Sequence, residues 1–295
     1  MPNKVSTRKK PVYVFIDTNI FLDFYRGNKE ASISLLRKID SVKDRVISTY
    51  QVEMEFKKNR QNVLYETFKN IDFNLQLSLP AIFRDSATGK SLDSLTSDAK
   101  DKVKILKKRF SDLFYSPKLN DEVFRVLENV FHNPSEHVLT RDMKIRHEMK
   151  RLAWRRFILG YPPRKKNDTS IGDALNWEWI INCGKKYSGK IIIVSRDGDY
   201  GISIKDDVYL NDHLYQEYKE RVGLKREIML TNKLSDAFRE LDVPITKQEV
   251  TAEKELVEEG SSNYFNEILS REYQRVIEKI DKDAISNMFN INPVA

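Results

Sequence analysis

Two short runs of consecutive apolar residues constrain the fold of this chain more than any other feature of its sequence. Residues 11–16 read PVYVFI and residues 190–195 read KIIIVS, without the alternation of apolar and polar residues that a half-exposed strand shows. Such runs are typical of strands that are buried on both faces in a parallel sheet. The chain is therefore expected to contain a mostly parallel sheet with helices packed against both of its faces.

Further strand patterns follow the same rule. Residues 45–48 (RVIS), 207–211 (DVYLN) and 227–231 (EIMLT) are each followed by a helical pattern. Ser48 and Gln51 have the spacing of a capping box, which predicts that a helix begins at Ser48. Strands that alternate with helices indicate a doubly wound α/β fold.

The remaining segments do not repeat this alternation. Residues 61–159 are charged and helical in pattern, with breaks at three prolines and at residues 85–94 (DSATGKSLDS), and we interpret them as a helical insertion. The predicted α/β core then comprises residues 1–60 and 160–246, followed by an acidic linker over 247–262. Residues 263–295 predict an amphipathic helix whose apolar stripe must be buried against this domain, a second copy or a regulatory partner.

Composition excludes several classes of protein. No apolar stretch reaches the roughly 20 residues that span a bilayer, so no membrane association is expected. The basic N-terminus leads into a strand pattern rather than into a signal peptide. Cys183 is the single cysteine, which excludes an intrachain disulfide and a cysteine zinc cluster. The chain is predicted to be soluble and cytoplasmic.

Positive charge is concentrated in one segment. The whole chain has a net charge of +7, whereas residues 141–166 alone carry +8. Such a block indicates a polyanionic partner, although a solvated helix face would have the same composition. The candidate contacts to a nucleic-acid backbone are Lys150, Arg151, Arg155, Arg156, Arg164, Lys165 and Lys166.

Aspartates follow both of the buried strands. Asp17 comes directly after the first run, and Asp197 comes two residues after Ser195, which ends the second. In open parallel sheets, ligands bind beyond the carboxyl ends of the strands. Asp173 lies in the first turn of the helix after a Pro-Pro loop, where the helix dipole favours an anion. Taken singly, each aspartate is better explained as a helix cap or a turn residue, the commonest uses of aspartate.

Helical geometry selects a fourth acid. Glu55 shares the inward stripe of its helix with Val52, Phe56 and Asn59 at i, i+3, i+4 and i+7 spacing. Glu53 projects about 200° away and has Lys57 as a partner at i+4. Glu55 is therefore the predicted site residue, and Glu53 is expected to form a surface ion pair.

Four acids at one edge of a sheet repel one another, so the cluster requires a counter-charge. Carboxylates without histidine or cysteine are the ligands that Mg²⁺ or Mn²⁺ prefers. A metal site of this kind beside a basic segment is typical of phosphodiester chemistry, in which metal ions bind the scissile phosphate and Lys/Arg hold the flanking backbone.

At these residues the sequence resembles the PIN-domain nucleases, specifically a bacterial PIN-like group with a long helical insertion. The resemblance is carried by FIDTNIFLD, STYQVEMEFKKNR, GYPPRKKNDTSIGDALNW and IIIVSRDGDYG, in that order along the chain. It implies an α/β/α sandwich around a five-stranded parallel sheet, and a metal-dependent endoribonuclease. It further implies that Asp17, Glu55 and Asp173 hold an inner Mg²⁺ or Mn²⁺, that Asp197 and Asp199 hold a looser one, and that Thr18, Asn19 and Ser195 support them.

Several alternatives stay open. Either Asp197 or Asp199 is the ligand of the outer ion, because the RDGDYG turn departs from the family's usual spacing of polar residues. The chain is either an endoribonuclease, including a toxin or defence effector, or a non-catalytic module that binds RNA or protein. A phosphatase of the haloacid-dehalogenase type is disfavoured, because it needs a second aspartate where this chain has Asn19.

Overall fold

A computed structural model describes residues 10–27, 29–69, 80–163, 170–204 and 207–258. The strands are β1 (Val12–Ile16), β2 (Val46–Thr49), β3 (Val138–Leu139), β4 (Lys190–Val194), β5 (Gly201–Ile204), β6 (Asp207–Leu210) and β7 (Ile228–Thr231). The helices are α1 (Thr18–Asp23), α2 (Glu30–Ser41), α3 (Tyr50–Lys69), α4 (Ala81–Arg84), α5 (Ala87–Tyr115), α6 (Pro117–Asn120), α7 (Glu122–Phe131), α8 (Arg146–Leu159), α9 (Gly172–Lys186), α10 (Asp212–Val222), α11 (Leu234–Glu240) and α12 (247–258).

A five-stranded parallel sheet forms the centre of the fold, in the order β3-β2-β1-β4-β7. Strand β1 is central: Val14 is level with Val46 of β2, and Phe15 is level with Ile193 of β4. The chain proceeds from β1 toward β3, then crosses to β4 on the other side. Strand order therefore reverses between β1 and β4, which is the place where such sheets bind ligands.

Helices cover both faces of this sheet, as predicted. Helix α2 packs against α7, and α9 packs against α8 and α10. Because crossover connections between parallel strands are right-handed, these two groups lie on opposite faces. The apolar runs of β1 and β4 are almost completely buried, which agrees with the two-sided burial expected from their sequences. The result is an α/β/α sandwich.

The start of α3 differs by one residue from the prediction. Thr49, not Ser48, caps this helix, because its hydroxyl oxygen accepts hydrogen bonds from the backbone N–H groups of Gln51 and Val52, both at 3.2 Å. The Gln51 side chain does not reach back to the cap but donates to Glu55.

The predicted loop at residues 85–94 is wrong. Residues 87–115 form the single helix α5, which begins because the Ser86 hydroxyl accepts a hydrogen bond from the N–H of Gly89 at 3.0 Å. A Cβ at residue 89 would overlap the carbonyl oxygen of Phe83, so glycine allows the preceding turn to pack closely against this helix. The serine and glycine that indicated a loop are the residues that start the helix.

Part of the predicted insertion belongs to the core. Strand β3 extends the main sheet beside β2. It is only two residues long, too short for the sequence to show a strand pattern. Helix α7 buries Leu127 and Val130 in the hydrophobic core. The strand predicted at 207–211 forms as β6, but it pairs antiparallel with β5 in a separate two-stranded sheet.

The described part of the predicted acidic linker is helical and packed. In α12, Glu249 is buried and forms an ion pair with Lys38 at 2.5 Å. Glu253 accepts hydrogen bonds from the backbone N–H groups of Leu234 and Ser235 at the start of α11, and lies 3.7 Å from Arg196. Glu249 and Glu253 are therefore bonded to residues of the α/β core and do not belong to a linker. Residues 259–262 and the predicted C-terminal helix at 263–295 lie outside the described residues.

Within the described ranges, no helix combines the length and the apolar composition that crossing a membrane requires.

Candidate metal centre

Asp17 lies at the switch point of the sheet, immediately after β1. It is the N-cap of α1, and its carboxylate accepts hydrogen bonds from the N–H of Thr18 (2.7 Å), the amide of Asn19 (3.0 Å) and the hydroxyl of Ser195 (2.6 Å). The side chain is only 5% exposed. Burial raises the pKa of Asp17 to about 7, with the charges of nearby acids adding to it and the hydrogen bonds opposing it.

Ser195 connects Asp17 to the acid that follows β4. Its hydroxyl donates to Asp17 and accepts a hydrogen bond at 3.1 Å from the backbone N–H of Asp197. The negative charge of Asp197 contributes to the raised pKa of Asp17, so the two carboxylates are electrostatically coupled. Of the three residues that the resemblance implied as supporting, Asn19 and Ser195 hydrogen-bond to the Asp17 carboxylate through their side chains, and Thr18 does so through its backbone N–H.

Glu55 reaches the same edge of the sheet from α3. Its carboxylate accepts hydrogen bonds from the Thr18 hydroxyl at 3.3 Å and from the Gln51 amide at 2.8 Å. Its charge also contributes to the raised pKa of Asp17. Glu53, by contrast, forms an ion pair with Lys57 at 2.7 Å, as the helical geometry predicts.

Gly172 brings the start of α9 against Glu55. A Cβ at this position would overlap the Oε1 atom of Glu55 and would lie 2.8 Å from the Gln51 amide nitrogen, so the close approach requires glycine. Asp173 is the next residue, in the first turn of α9. The first turn of α9, which carries Asp173, therefore lies close to Glu55.

Tyr200 shows that the remaining acids share this neighbourhood. Its ring is fully buried, and its hydroxyl has no hydrogen-bond partner among the described residues. Burial raises the pKa of Tyr200 well above its ordinary value, and the negative charges of Asp173, Asp17, Glu55 and Asp199 raise it further. All five predicted acids thus act electrostatically on Tyr200 or on Asp17. We call these five acids, Asp17, Glu55, Asp173, Asp197 and Asp199, the rim acids.

The rim acids fit Mg²⁺ or Mn²⁺ by their chemistry. Every predicted ligand atom is a carboxylate oxygen, the type that these hard cations prefer. The buried Tyr200 hydroxyl is a polar group that water on a bound ion would satisfy. A divalent ion would also offset the repulsion and the burial that hold the pKa of Asp17 high.

A tighter cluster of ligand-type side chains occurs elsewhere. Glu53, Glu128 and His132 have ligand atoms that all lie within 4.8 Å of one another, closer than the rim acids are grouped in the described part of the chain. The ammonium of Lys57 lies 2.7 Å from both carboxylates. This cluster therefore already has a counter-charge and does not require a metal ion.

The basic residues predicted to contact nucleic acid divide into three groups. Lys150, Arg151 and Arg155 are exposed on α8. The prediction that Arg156 contacts nucleic acid is wrong. Arg156 is 2% exposed and forms ion pairs with Glu178 and Glu217, so it joins α8 to α9 and α10 and cannot contact a ligand. The other three predicted contacts, Arg164, Lys165 and Lys166, lie outside the described residues.

Sequence reasoning missed two residues of the site. Gln51 lies four residues before Glu55 on the same face of α3, a spacing that predicts the hydrogen bond between them. Tyr200 ends the RDGDYG turn, and nothing in its local pattern indicates that it is buried among the acids.

Comparison with known proteins agrees with the geometry. The family model described as PIN domain matches residues 14–200, a segment that contains all five rim acids. The curated proteins and the solved structures gave no significant match. Because the matched segment covers more than half of the sequence, the chain belongs to the PIN-domain family, whose members are generally metal-dependent nucleases.

Proposed function

We propose that the chain is a metal-dependent endoribonuclease that cleaves phosphodiester bonds at the edge of the sheet where β1 and β4 end. The observation that supports this most is that four rim acids, Asp17, Glu55, Asp173 and Asp199, come from four separate segments of the chain and all lie near enough to the buried Tyr200 to raise its pKa. Asp17 is buried and the other four rim acids are half-buried. Bringing these like charges together costs folding free energy, and a bound divalent cation would offset this cost.

Each residue of the site has a definite task in this proposal. Asp17, Glu55 and Asp173 would hold the inner ion, and Asp197 with Asp199 an outer one. When bound, the ions supply Lewis acidity and lower the pKa of water toward neutrality.

Neighbouring side chains then fix the carboxylates. Ser195 and Asn19 orient Asp17, while Gln51 and Thr18 orient Glu55. Because these donors hold the carboxylates before any ion arrives, little reorganisation is needed when one binds.

The substrate proposed is RNA, on the basis of the family and of charge. Helix α8 carries the exposed cations Lys150, Arg151 and Arg155, and the chain passes from α8 into α9, where Asp173 lies. Trp154, half exposed between these cations, adds a ring on which an unpaired base can stack. Such a surface suits a single strand whose bases are accessible.

The test is cleavage of purified total RNA with Mn²⁺, with and without a chelator. We expect Mn²⁺-dependent fragments from the wild type, none from Glu55→Gln, and normal cleavage by Glu66→Gln, which removes an exposed glutamate of the same helix. Undiminished Mn²⁺-dependent cleavage by Glu55→Gln would refute the site. RNA binding without cleavage, and without stabilisation by Mn²⁺, would identify a non-catalytic module instead.

A toxin or defence role is a further part of this proposal, and it has its own test. Expression of the wild-type chain should arrest growth if the substrate is a cellular RNA, whereas the Glu55→Gln chain should be tolerated. Equal growth with both chains, at equal expression, would contradict the toxin role without affecting the cleavage assay.

A further inference from the structure

A cavity of about 540 Å³ opens at the same edge of the sheet as the rim acids, beside the ends of β2 and β3. Its walls include the last residues of the two strands, Thr49 of β2 and Leu139 of β3. They also include Tyr50 and Glu53 at the start of α3, and Arg141 after β3. The volume lies within the range of roughly 300–1,000 Å³ that is usual for small-molecule sites. The cavity is therefore large enough for a ligand of the size of a nucleotide.

The cavity lies close to the predicted cleavage position. Strand β2 is the direct neighbour of β1, and β3 is the next strand outward, at about 4.8 Å per strand. Met54, which lines the cavity, directly precedes Glu55 on α3. Glu53 projects to the other side of α3 from Glu55, so the first turns of this helix lie between the cavity and the rim acids. A strand of RNA held at the rim acids would reach the cavity by crossing the start of α3.

The charges in the walls exclude two simple ligands. A metal ion is disfavoured because the Lys57 ammonium already bridges Glu53 and Glu128 at 2.7 Å each. Burial lowers the pKa of Lys57, but its bonds to these two glutamates outweigh burial and raise it, so the ammonium stays charged. A bare anion is disfavoured by the carboxylates of Glu53 and Asp142, which both line the cavity.

The rest of the wall favours a planar ligand that also carries negative charge. Tyr50 is partly buried, and its hydroxyl has no hydrogen-bond partner among the residues described. The Lys150 ammonium lies 5.7 Å from the centre of its ring. Burial raises the pKa of Tyr50, while the charges of Arg146 and Arg141 oppose this rise, which places two guanidinium groups near the same hydroxyl.

We propose that this cavity binds one nucleotide of the RNA strand beside the cleavage position, with its base against Tyr50 and its phosphate toward Arg141. This inference rests on the proposed nuclease function. The Glu53 carboxylate accepts hydrogen bonds from exocyclic amino groups, so a base that has one is preferred over uracil. The cavity would thus select which bond of the strand is cut.

The first experiment measures binding alone, with the full chain in chelator and with AMP, CMP, GMP and UMP as probes. We expect saturable binding that is weakest for UMP and falls about tenfold or more in Tyr50→Leu. The matched control is Tyr65→Leu, which removes an exposed tyrosine of the same helix that also has a lysine over its ring. Arg141→Gln is a second variant in an exposed position and should weaken binding without altering the fold.

The second experiment maps cleavage positions in a random-sequence RNA with Mn²⁺. The wild type and Tyr65→Leu should prefer an amino-bearing base at a fixed distance from the cut, and Tyr50→Leu and Arg141→Gln should lose this preference. Equal nucleotide binding and equal cleavage maps for Tyr50→Leu and Tyr65→Leu would overturn the proposal.

The two experiments separate this proposal from the nuclease function on which it rests. Tyr50-dependent nucleotide binding in a chain that cleaves no RNA would support the cavity and refute the nuclease. Cleavage of RNA with no nucleotide binding in the cavity would support the nuclease and overturn the cavity.

Discussion

Asp17→Asn is expected to stabilise the metal-free protein while abolishing its response to metal. The pKa of Asp17 is raised from 3.8 to about 7 in the folded chain, so the folded state binds a proton more tightly than the unfolded state does. The free energy of unfolding therefore falls as pH rises from about 4 to about 7, by about 4 kcal/mol in total. Asparagine has no charge to bury and removes this loss.

The substitution also has a cost, which sets the net size of the effect. Asparagine keeps an oxygen that accepts from the N–H of Thr18, but its amide nitrogen cannot accept from Asn19 and Ser195 as the second carboxylate oxygen does. Each of these two lost hydrogen bonds costs about 1 kcal/mol. We expect a net gain of about 2 kcal/mol at pH 8, which corresponds to a rise in Tm of roughly 5 °C.

Thermal melts in chelator at pH 5 and pH 8 provide the assay. The gain from Asp17→Asn should be larger at pH 8 than at pH 5. Added Mn²⁺ should raise the Tm of the wild type and not that of the variant, since only binding to the folded state stabilises it. Asp98→Asn, an exposed aspartate of α5, should behave as the wild type throughout. A variant that is less stable than the wild type at pH 8 without metal would refute the reasoning.

Four further substitutions test other parts of the structure. Gly172→Ala should displace Glu55 and reduce Mn²⁺-dependent cleavage at least about tenfold, with a smaller Mn²⁺-induced rise in Tm; an unchanged Mn²⁺ response would contradict the close packing of α9 on α3. Arg156→Gln should destabilise the fold by about 3 kcal/mol, because it leaves buried carboxylates without their partner. The exposed neighbour Arg155→Gln should change stability by less than about 0.5 kcal/mol and should weaken RNA binding with a shallower salt dependence. Equal Tm values for the two variants would contradict the burial of Arg156. Glu253→Gln should lower the free energy of unfolding by about 1–2 kcal/mol, because it weakens the cap of α11. Denaturant unfolding at neutral pH measures this loss, and an unchanged free energy of unfolding would show that the cap is unimportant.

The central part of the fold was predictable because its signals are local. The apolar runs of β1 and β4 specify two-sided burial whatever surrounds them, and parallel strands then deliver Asp17 and Asp197 to one edge. The choice of Glu55 over Glu53 needed only the helical repeat, and the ion pair of Glu53 confirms that geometry.

Other features depend on partners that are distant in sequence. Strand β3 is two residues long and exists because β2 offers it an edge to pair with. Arg156 reads as one more cation of a basic helix, and its burial is set by Glu178 and Glu217, which lie 22 and 61 residues away. The acids of α12 read as a linker because Lys38 and the start of α11, which bind them, are far away along the chain.

Arg196 connects α12 mechanically to the edge of the sheet where the rim acids lie. It lies between Ser195 and Asp197, and its guanidinium bonds the side chain of Asp23 and the carbonyl of Asn232 while lying 3.7 Å from Glu253 of α12. A protease cut or a frameshift that removes α12 would relax this anchor from one side. The turn that carries Asp197 and Asp199 would then loosen, so that the loss of residues some 55 positions downstream would change the geometry of the rim acids.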